Sequence, residues 1–207
     1  MVVAGKYKAV ISDMGGVILK FSDPKLIEKM MVKAKGNKKL QKLLEDFELG
    51  HSGVESLGPL IADLPEMDVQ KEVLTLIQGL QSSVGTTDES VVSALKKLKE
   101  SGFKIALLTN NGWIDDTKTK SMIPCDTEYF DVIVESCRVN MRKPFPDIYQ
   151  LTLEKLELKP EECIFIDDLK MNCEAAEKLG IKSIQVINGD SETALKELEE
   201  LTKIKLL

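Results

Sequence analysis

The sequence predicts an α/β fold, a parallel sheet covered by helices on both faces with an inserted all-helical segment, and three observations carry that prediction. Short β-branched or apolar runs near 7–12, 104–108, 131–135, 163–166 and 183–187 are separated by segments with helical spacing. Between the first two runs, residues 21–88 read as helices with no strand among them. The 207 residues suffice for one domain, or one domain with a modest insertion, whose core needs no disulfides.

The first strand is placed by Ala9-Val10-Ile11, between polar Lys6 and Lys8 and the turn Asp13-Met14-Gly15-Gly16. From Asp23, Pro24 suits a first helical position, and Leu26, Ile27, Met30, Met31 and Ala34 recur at helical spacing until Gly36. A second helix takes Asn37 as its cap, Leu40, Leu43, Leu44 and Phe47 as its stripe, and Gly50 past its end. Weaker helical signals follow at 54–62 and 68–80. A helix through Val91, Val92, Leu95 and Leu98 then ends at Gly102 and feeds the strand from Lys104 to Leu108. Helical segments near 146–157 and 172–179 separate the remaining strands, and Asp147 is the expected cap of the first of them. The resulting division is a core of residues 1–20 and 89–207 with a helical cap over 21–88.

Composition narrows the function. Apolar residues at 43% and charged residues at 30% describe an ordinary globular chain. A formal net charge of -6 is the wrong field for a general binder of phosphate backbones, so no nucleic-acid partner is expected. Apolar stretches such as Ile105 to Leu108 fall far short of the roughly 18 residues of a membrane span, and Lys6 and Lys8 interrupt any signal-peptide core. A cytoplasmic protein is expected. Four cysteines without a C-x-x-C pair suit reduced thiols, and a single histidine, His51, argues against zinc.

In open parallel sheets ligands bind beyond the carboxyl ends of the strands. Those ends carry Asp13, Thr109-Asn110 and Asp167-Asp168, with Lys143 in the loop after the strand at 131–135. Asp13 fits either a solvated turn acid or a nucleophile for phosphorus. Asp167 and Asp168 repel each other unless a cation or a lysine compensates, and with Asp13 they make an oxygen-rich candidate Mg²⁺ site. Lys143 reads as a surface lysine or as that compensating charge. Thr109-Asn110-Asn111-Gly112 reads as a polar turn or as a set of phosphate donors.

Taken together, Ile11-Ser12-Asp13-Met14-Gly15-Gly16-Val17, Leu108-Thr109-Asn110, Lys143-Pro144 and Phe165-Ile166-Asp167-Asp168 resemble, in order, the four motifs of the haloacid-dehalogenase superfamily. Thr109 to Asp116, Phe130 to Tyr149 and Thr193 to Leu207 are further similar to the N-terminal phosphatase domain of soluble epoxide hydrolases. The resemblance implies a Rossmann-like core with a helical cap between the first two motifs, and a Mg²⁺-dependent phosphatase acting on a small-molecule phosphate monoester, with lipid and sugar phosphates as candidates. It implies that Asp13 attacks phosphorus to form an aspartyl-phosphate that water hydrolyses. It assigns Met14, Gly15, Thr109, Asn110 and Lys143 to the phosphate, and Lys143 also to charge neutralisation. Asp13, the carbonyl of Gly15 and Asp168 are assigned to the metal, with Asp167 and Asn172 in support.

One position departs from that pattern. Most phosphatases of the superfamily carry a second aspartate two residues after the nucleophile, as leaving-group acid, and here the residue is Gly15. A positioned acid and base contribute roughly 10²- to 10⁴-fold in rate. Gly15 therefore keeps open a second reading, a weak or inactive phosphate-binding scaffold, and C–halogen hydrolysis is a third. No epoxide hydrolase activity is expected, since the likeness is to the phosphatase domain and Leu207 ends the sequence. In the cap, Met30, Met31, Leu60 and Ile61 read as core or as an acyl-chain tunnel, and His51 as an exposed loop residue or a substrate contact. Trp113 reads as core or as a lid over the site, and the lysines at 33, 35, 38, 39 and 42 as a solvated face. Oligomeric state is left open.

Overall fold

The computed structural model describes residues 5–21, 32, 35–62, 70–71, 74, 86–122 and 128–207, with residues 58 and 60 described in their backbone only. Pro24, Leu26, Ile27, Met30, Met31, Lys33, Ala34 and Cys125 lie outside them, as do most of 68–80 and the side chain of Leu60.

Five parallel strands form one sheet: β1 (Ala9–Ser12), β2 (Lys104–Thr109), β3 (Val132–Glu135), β4 (Cys163–Asp167) and β5 (Lys182–Gln185), in the order β3-β2-β1-β4-β5. Val10 registers with Ile105 on one side and Ile164 on the other. Strand side chains alternate between faces, and both faces are covered. Val10, Ile105, Leu107, Ile164 and Ile166 pack against α3 (Glu89–Glu100) and α7 (Ser191–Thr202). Ala9, Ile11, Ala106, Leu108 and Phe165 pack against α5 (Pro146–Leu156) and α6 (Lys170–Lys178). A fully buried Leu or Ile contributes about 1.5–3 kcal/mol, so these two layers dominate the cohesion of the fold.

Between β1 and α3 the described residues form α1 (Lys38–Glu48), capped by the Asn37 side chain, and α2 (Val54–Ala62). Leu40, Leu43, Phe47, Leu57, Ile61 and Met122 bury one another in a small cluster separate from the two sheet layers. Ile61 is therefore core. Single-turn α4 (Ser136–Val139) follows β3 directly. The helix α7 carries no expected counterpart from periodicity. Asp147 is not a cap: Pro146 takes the first helical position, which makes Phe145 the N-cap and places Asp147 inside the first turn.

Chain order departs from β1 in both directions, to β2 and β3 on one side and to β4 and β5 on the other. Such a switch point opens a crevice at the carboxyl end of the central strand. Asp13 is the first residue beyond β1, and its N–H donates to the carbonyl of Ile166 in β4 at 2.8 Å. Among the described residues no helix is long and apolar enough to cross a membrane.

Candidate active site

Asp13 leaves β1 into a tight loop in which the N–H groups of Ile18 and Leu19 both return to the carbonyl of Met14. Gly16 sits at φ 72°, and a Cβ there would lie 2.4 Å from Oδ2 of Asp168, so the loop admits only glycine where it touches the end of β4. Oδ1 of Asp13 accepts from the N–H of Met14 at 2.7 Å. The Met14 side chain packs into the core.

Lys143 is fully buried, with Nζ 2.9 Å from Oδ1 of Asp13 and 2.7 Å from Oδ2 of Asp167. Of its two sequence readings, the surface one is excluded. Burial opposes its charge, but the two carboxyl groups outweigh burial and hold its pKa above the ordinary lysine value. Asp13, Asp167 and Asp168 offer oxygens within 4.8 Å of one another. Burial pushes the Asp13 carboxyl up to about 7, with Lys143 opposing and Asp167 adding to the rise. Asp168 is pushed up to about 8 by burial and by its acidic neighbours Asp167 and Asp13. Three carboxyl groups thus face one ammonium, and the donor set is all hard oxygen, which suits Mg²⁺.

Asp167 ends β4 and is held on three sides. Besides Lys143, it accepts from the Leu169 N–H at 2.8 Å and from Nδ2 of Asn172 at 3.0 and 3.1 Å. Asn172 therefore steadies Asp167, while its own Oδ1 is buried without a hydrogen-bond partner among the described residues. Thr109 ends β2, buried, with its hydroxyl only 3.5 Å from the nearest acceptor, the Asn110 carbonyl.

The Asn110 side chain is hydrogen-bonded to the backbone of Lys143. Its Oδ1 accepts from the Lys143 N–H at 2.9 Å and its Nδ2 donates to the Lys143 carbonyl at 3.0 Å. The amide brackets the backbone of the lysine whose ammonium holds Asp13. Nδ2 also approaches Oε2 of Glu48 at 3.4 Å, and Glu48 pairs with Nη2 of Arg142 at 2.5 Å. Burial pushes the Glu48 carboxyl up against the pull of Arg142. Neither Glu48 nor Arg142 stands out by sequence spacing; the one signal is that Arg142 adjoins Lys143.

Of the remaining candidates, His51 is exposed, with Nδ1 3.1 Å from Asp46 and Nε2 2.8 Å from Asn140. Trp113 is buried, stacked beneath the Arg138 guanidinium at 4.8 Å. Gly15 lies beside the ring of Phe21, a residue that no sequence signal marks.

A family model described as Haloacid dehalogenase-like hydrolase matches residues 18–186. A curated pig protein, Bifunctional epoxide hydrolase 2, is 40% identical over 121 residues, 56% of this chain and 21% of its own length. The Sesquiterpene phosphatase astK of Aspergillus oryzae is 28% identical over 199 residues, 94% of this chain and 96% of its own. The chain spans 21%, 13% and 25% of the length of the first curated relatives it matches. A HAD-family enzyme of Bacteroides thetaiotaomicron, solved in complex with magnesium and inorganic phosphate, shares the fold with a TM-score of 0.62. It is 24% identical, covering 88% of this chain and 96% of its own.

Proposed function

Because the chain belongs to the haloacid dehalogenase-like hydrolase family, we propose that it is a Mg²⁺-dependent phosphatase that hydrolyses a small phosphate monoester through an aspartyl-phosphate on Asp13. The observation that carries this reading is the buried ammonium of Lys143 bridging Asp13 and Asp167, with Asp168 in the same cluster. Relatives named as phosphatases support it, and so does the magnesium and phosphate complex of a neighbour with the same fold. Lipid and sugar phosphates are the substrate classes that these likenesses favour.

Asp13, Asp168 and the Gly15 carbonyl would hold Mg²⁺, whose charge would offset the repulsion between carboxylate and phosphate. The chain's own groups do the rest. Oδ1 of Asp13 is fixed by Met14 and Lys143, so the carboxylate is oriented before substrate arrives. An Asp13 oxygen bonds to phosphorus as the ester oxygen leaves with the electrons of its bond, and water then attacks phosphorus and returns the electrons of the phosphorus–oxygen bond to Asp13. The Thr109 hydroxyl and the Lys143 ammonium hold the phosphoryl oxygens, while Asn110 holds Lys143 through its backbone. The described helices α1 and α2, inserted between β1 and α3, are assigned to a cap over the leaving group.

Release of phosphate from 4-nitrophenyl phosphate, with and without Mg²⁺ and beside Asp13→Asn, tests the reading. Metal-dependent release abolished by that substitution supports it. Gly15 favours the scaffold alternative, and release no greater than that of Asp13→Asn would establish it instead.

A further inference from the structure

The space beside Gly15 is filled. A Cβ built on Gly15 would lie 2.9 Å from Cζ of Phe21 and 3.3 Å from Cε2, so the ring stands directly over the position two residues from Asp13. The segment that carries the ring is tied down on both sides. Gly15 bridges to Leu19, Gly16 N–H donates to the Leu19 carbonyl at 2.8 Å, and Lys20 N–H donates to the Thr86 carbonyl at 2.9 Å. Phe21 is half-buried and lines a cleft together with Gly16, Lys20, Asp88 and Asp168. The ring therefore lies against Gly15 and lines a cleft that reaches the site at Asp168.

Among the described residues no free carboxyl group takes the place of the one missing at position 15. Glu48 approaches from α1, but its Oε2 is held by Arg142 at 2.5 Å and faces Asn110. Asp167 is enclosed by Lys143, Leu169 and Asn172. Lys20, the cation that lines the cleft, pairs with Asp88 at 3.0 Å.

Resting on the phosphatase reading but narrowing its substrate class, we propose that Phe21 sets leaving-group choice: its ring occupies the place of a proton donor, so the site favours phosphate compounds whose leaving oxygen departs as a resonance-stabilised anion, such as aryl, enol or acyl phosphates, over the alkyl esters of lipids and sugars. In the first step an Asp13 oxygen bonds to phosphorus, and the bond from phosphorus to the leaving oxygen breaks with both electrons on that oxygen. No proton from the chain is needed. In the second, water bonds to phosphorus, the bond from phosphorus to the Asp13 oxygen breaks with both electrons on that oxygen, and the protons of water leave on dihydrogen phosphate. Omitting a positioned acid costs such leaving groups little, whereas an alkoxide loses the roughly 10²- to 10⁴-fold that the acid supplies.

The test uses the full chain with Mg²⁺ and compares 4-nitrophenyl, phenyl and n-butyl phosphate. The expected result is a fall in kcat/KM of about 100-fold or more from the first to the last, no gain on the butyl ester from Gly15→Asp alone, and a gain of about tenfold or more from Gly15→Asp combined with Phe21→Ala. A butyl ester turned over within about tenfold of the nitrophenyl ester, or a full gain from Gly15→Asp alone, overturns the proposal. Thermal melting supplies a readout independent of turnover: Gly15→Asp lowers Tm, and Phe21→Ala recovers part of the loss. Strictly additive Tm changes would mean that the ring does not occupy the position and would also overturn it. Absence of release from every ester, equal to that of Asp13→Asn, is a different outcome: it removes the phosphatase reading and this inference with it.

Discussion

Asn110 grips Lys143 by both backbone groups, accepting its N–H at 2.9 Å and donating to its carbonyl at 3.0 Å. The contact joins the loop after β2 to the loop after β3, and it fixes where the lysine side chain starts before that chain reaches Asp13. Asn110→Ala leaves both backbone groups without this partner and is expected to cost about 1–3 kcal/mol in denaturant unfolding. Because the ammonium shifts with its backbone, kcat should fall more than KM rises. An unchanged kcat in a destabilised variant would confine Asn110 to a structural role.

Lys143→Met removes the ammonium between Asp13 and Asp167. Breaking a buried pair from one side costs about 3–5 kcal/mol. Phosphate release should fall by about 10²-fold or more, since the charge also faces the transferring phosphoryl group. Turnover within a factor of ten of the unsubstituted chain, measured on 4-nitrophenyl phosphate, would remove Lys143 from the chemistry.

Metal binding should strengthen as pH rises. Asp13 and Asp168 are held up to about 7 and about 8, so without metal the folded chain keeps protons that the unfolded chain has released above about 4. Their contribution to stability falls as pH rises from there to about 8, and Mg²⁺ must displace those protons. The Tm increase on adding Mg²⁺ should be larger at pH 8 than at pH 6 and should shrink in Asp168→Asn. Equal increases at both pH values in all variants would place the ion elsewhere.

Asp88 offers a stability test away from the reaction. Its carboxyl caps α3 through the N–H groups of Ser90 and Val91, accepts the Ser191 hydroxyl at 2.6 Å and pairs with Lys20 at 3.0 Å. Burial acts to raise its pKa, but bonds from Ser191, Ser90 and Lys20 prevail and hold it down at about 2. For a depressed acid, stability is present above the unfolded value near 3.8 and is lost as pH falls from there to about 2, here on the order of 2 kcal/mol. Asp88→Ala should lower stability by about that amount at pH 7 and flatten the acid limb of the unfolding profile. A variant with an unaltered acid limb would show that the carboxyl is not depressed.

Periodicity and strand ends make the core of this fold legible. Ala9-Val10-Ile11 and Cys163-Ile164-Phe165-Ile166 are apolar runs buried on both faces, and they form the central strand and its interior neighbour. The acids past those strands are adjacent in space because parallel strands end on one edge. What spacing does not show is contact between distant segments. Asn110 stands at a strand end, where a ligand contact is expected, and its amide also bonds to the backbone of a residue 33 positions away, which no spacing announces. The pairing of Glu48 with Arg142 and the ring of Phe21 over Gly15 have no counterpart in any local pattern. The helix α7, with Ala194, Leu195 and Leu198 buried, does carry helical spacing, and its charged neighbours Glu192, Lys196, Glu197, Glu199 and Glu200 mask it. Asp147 illustrates the opposite error, a good capping residue displaced by the proline before it.

The placement of β1 between β2 and β4 also fixes when this site comes into being. Asp13 precedes Asp167 and Asp168 by about 150 residues, and β1 lies between β2, the neighbour made earlier, and β4, the neighbour made later. A nascent chain halted before β4 has neither the acid pair nor the partner strand that receives the Asp13 N–H. The charge cluster is therefore complete only once β4 has been made, although Asp13, Thr109 and Lys143 precede it in the chain.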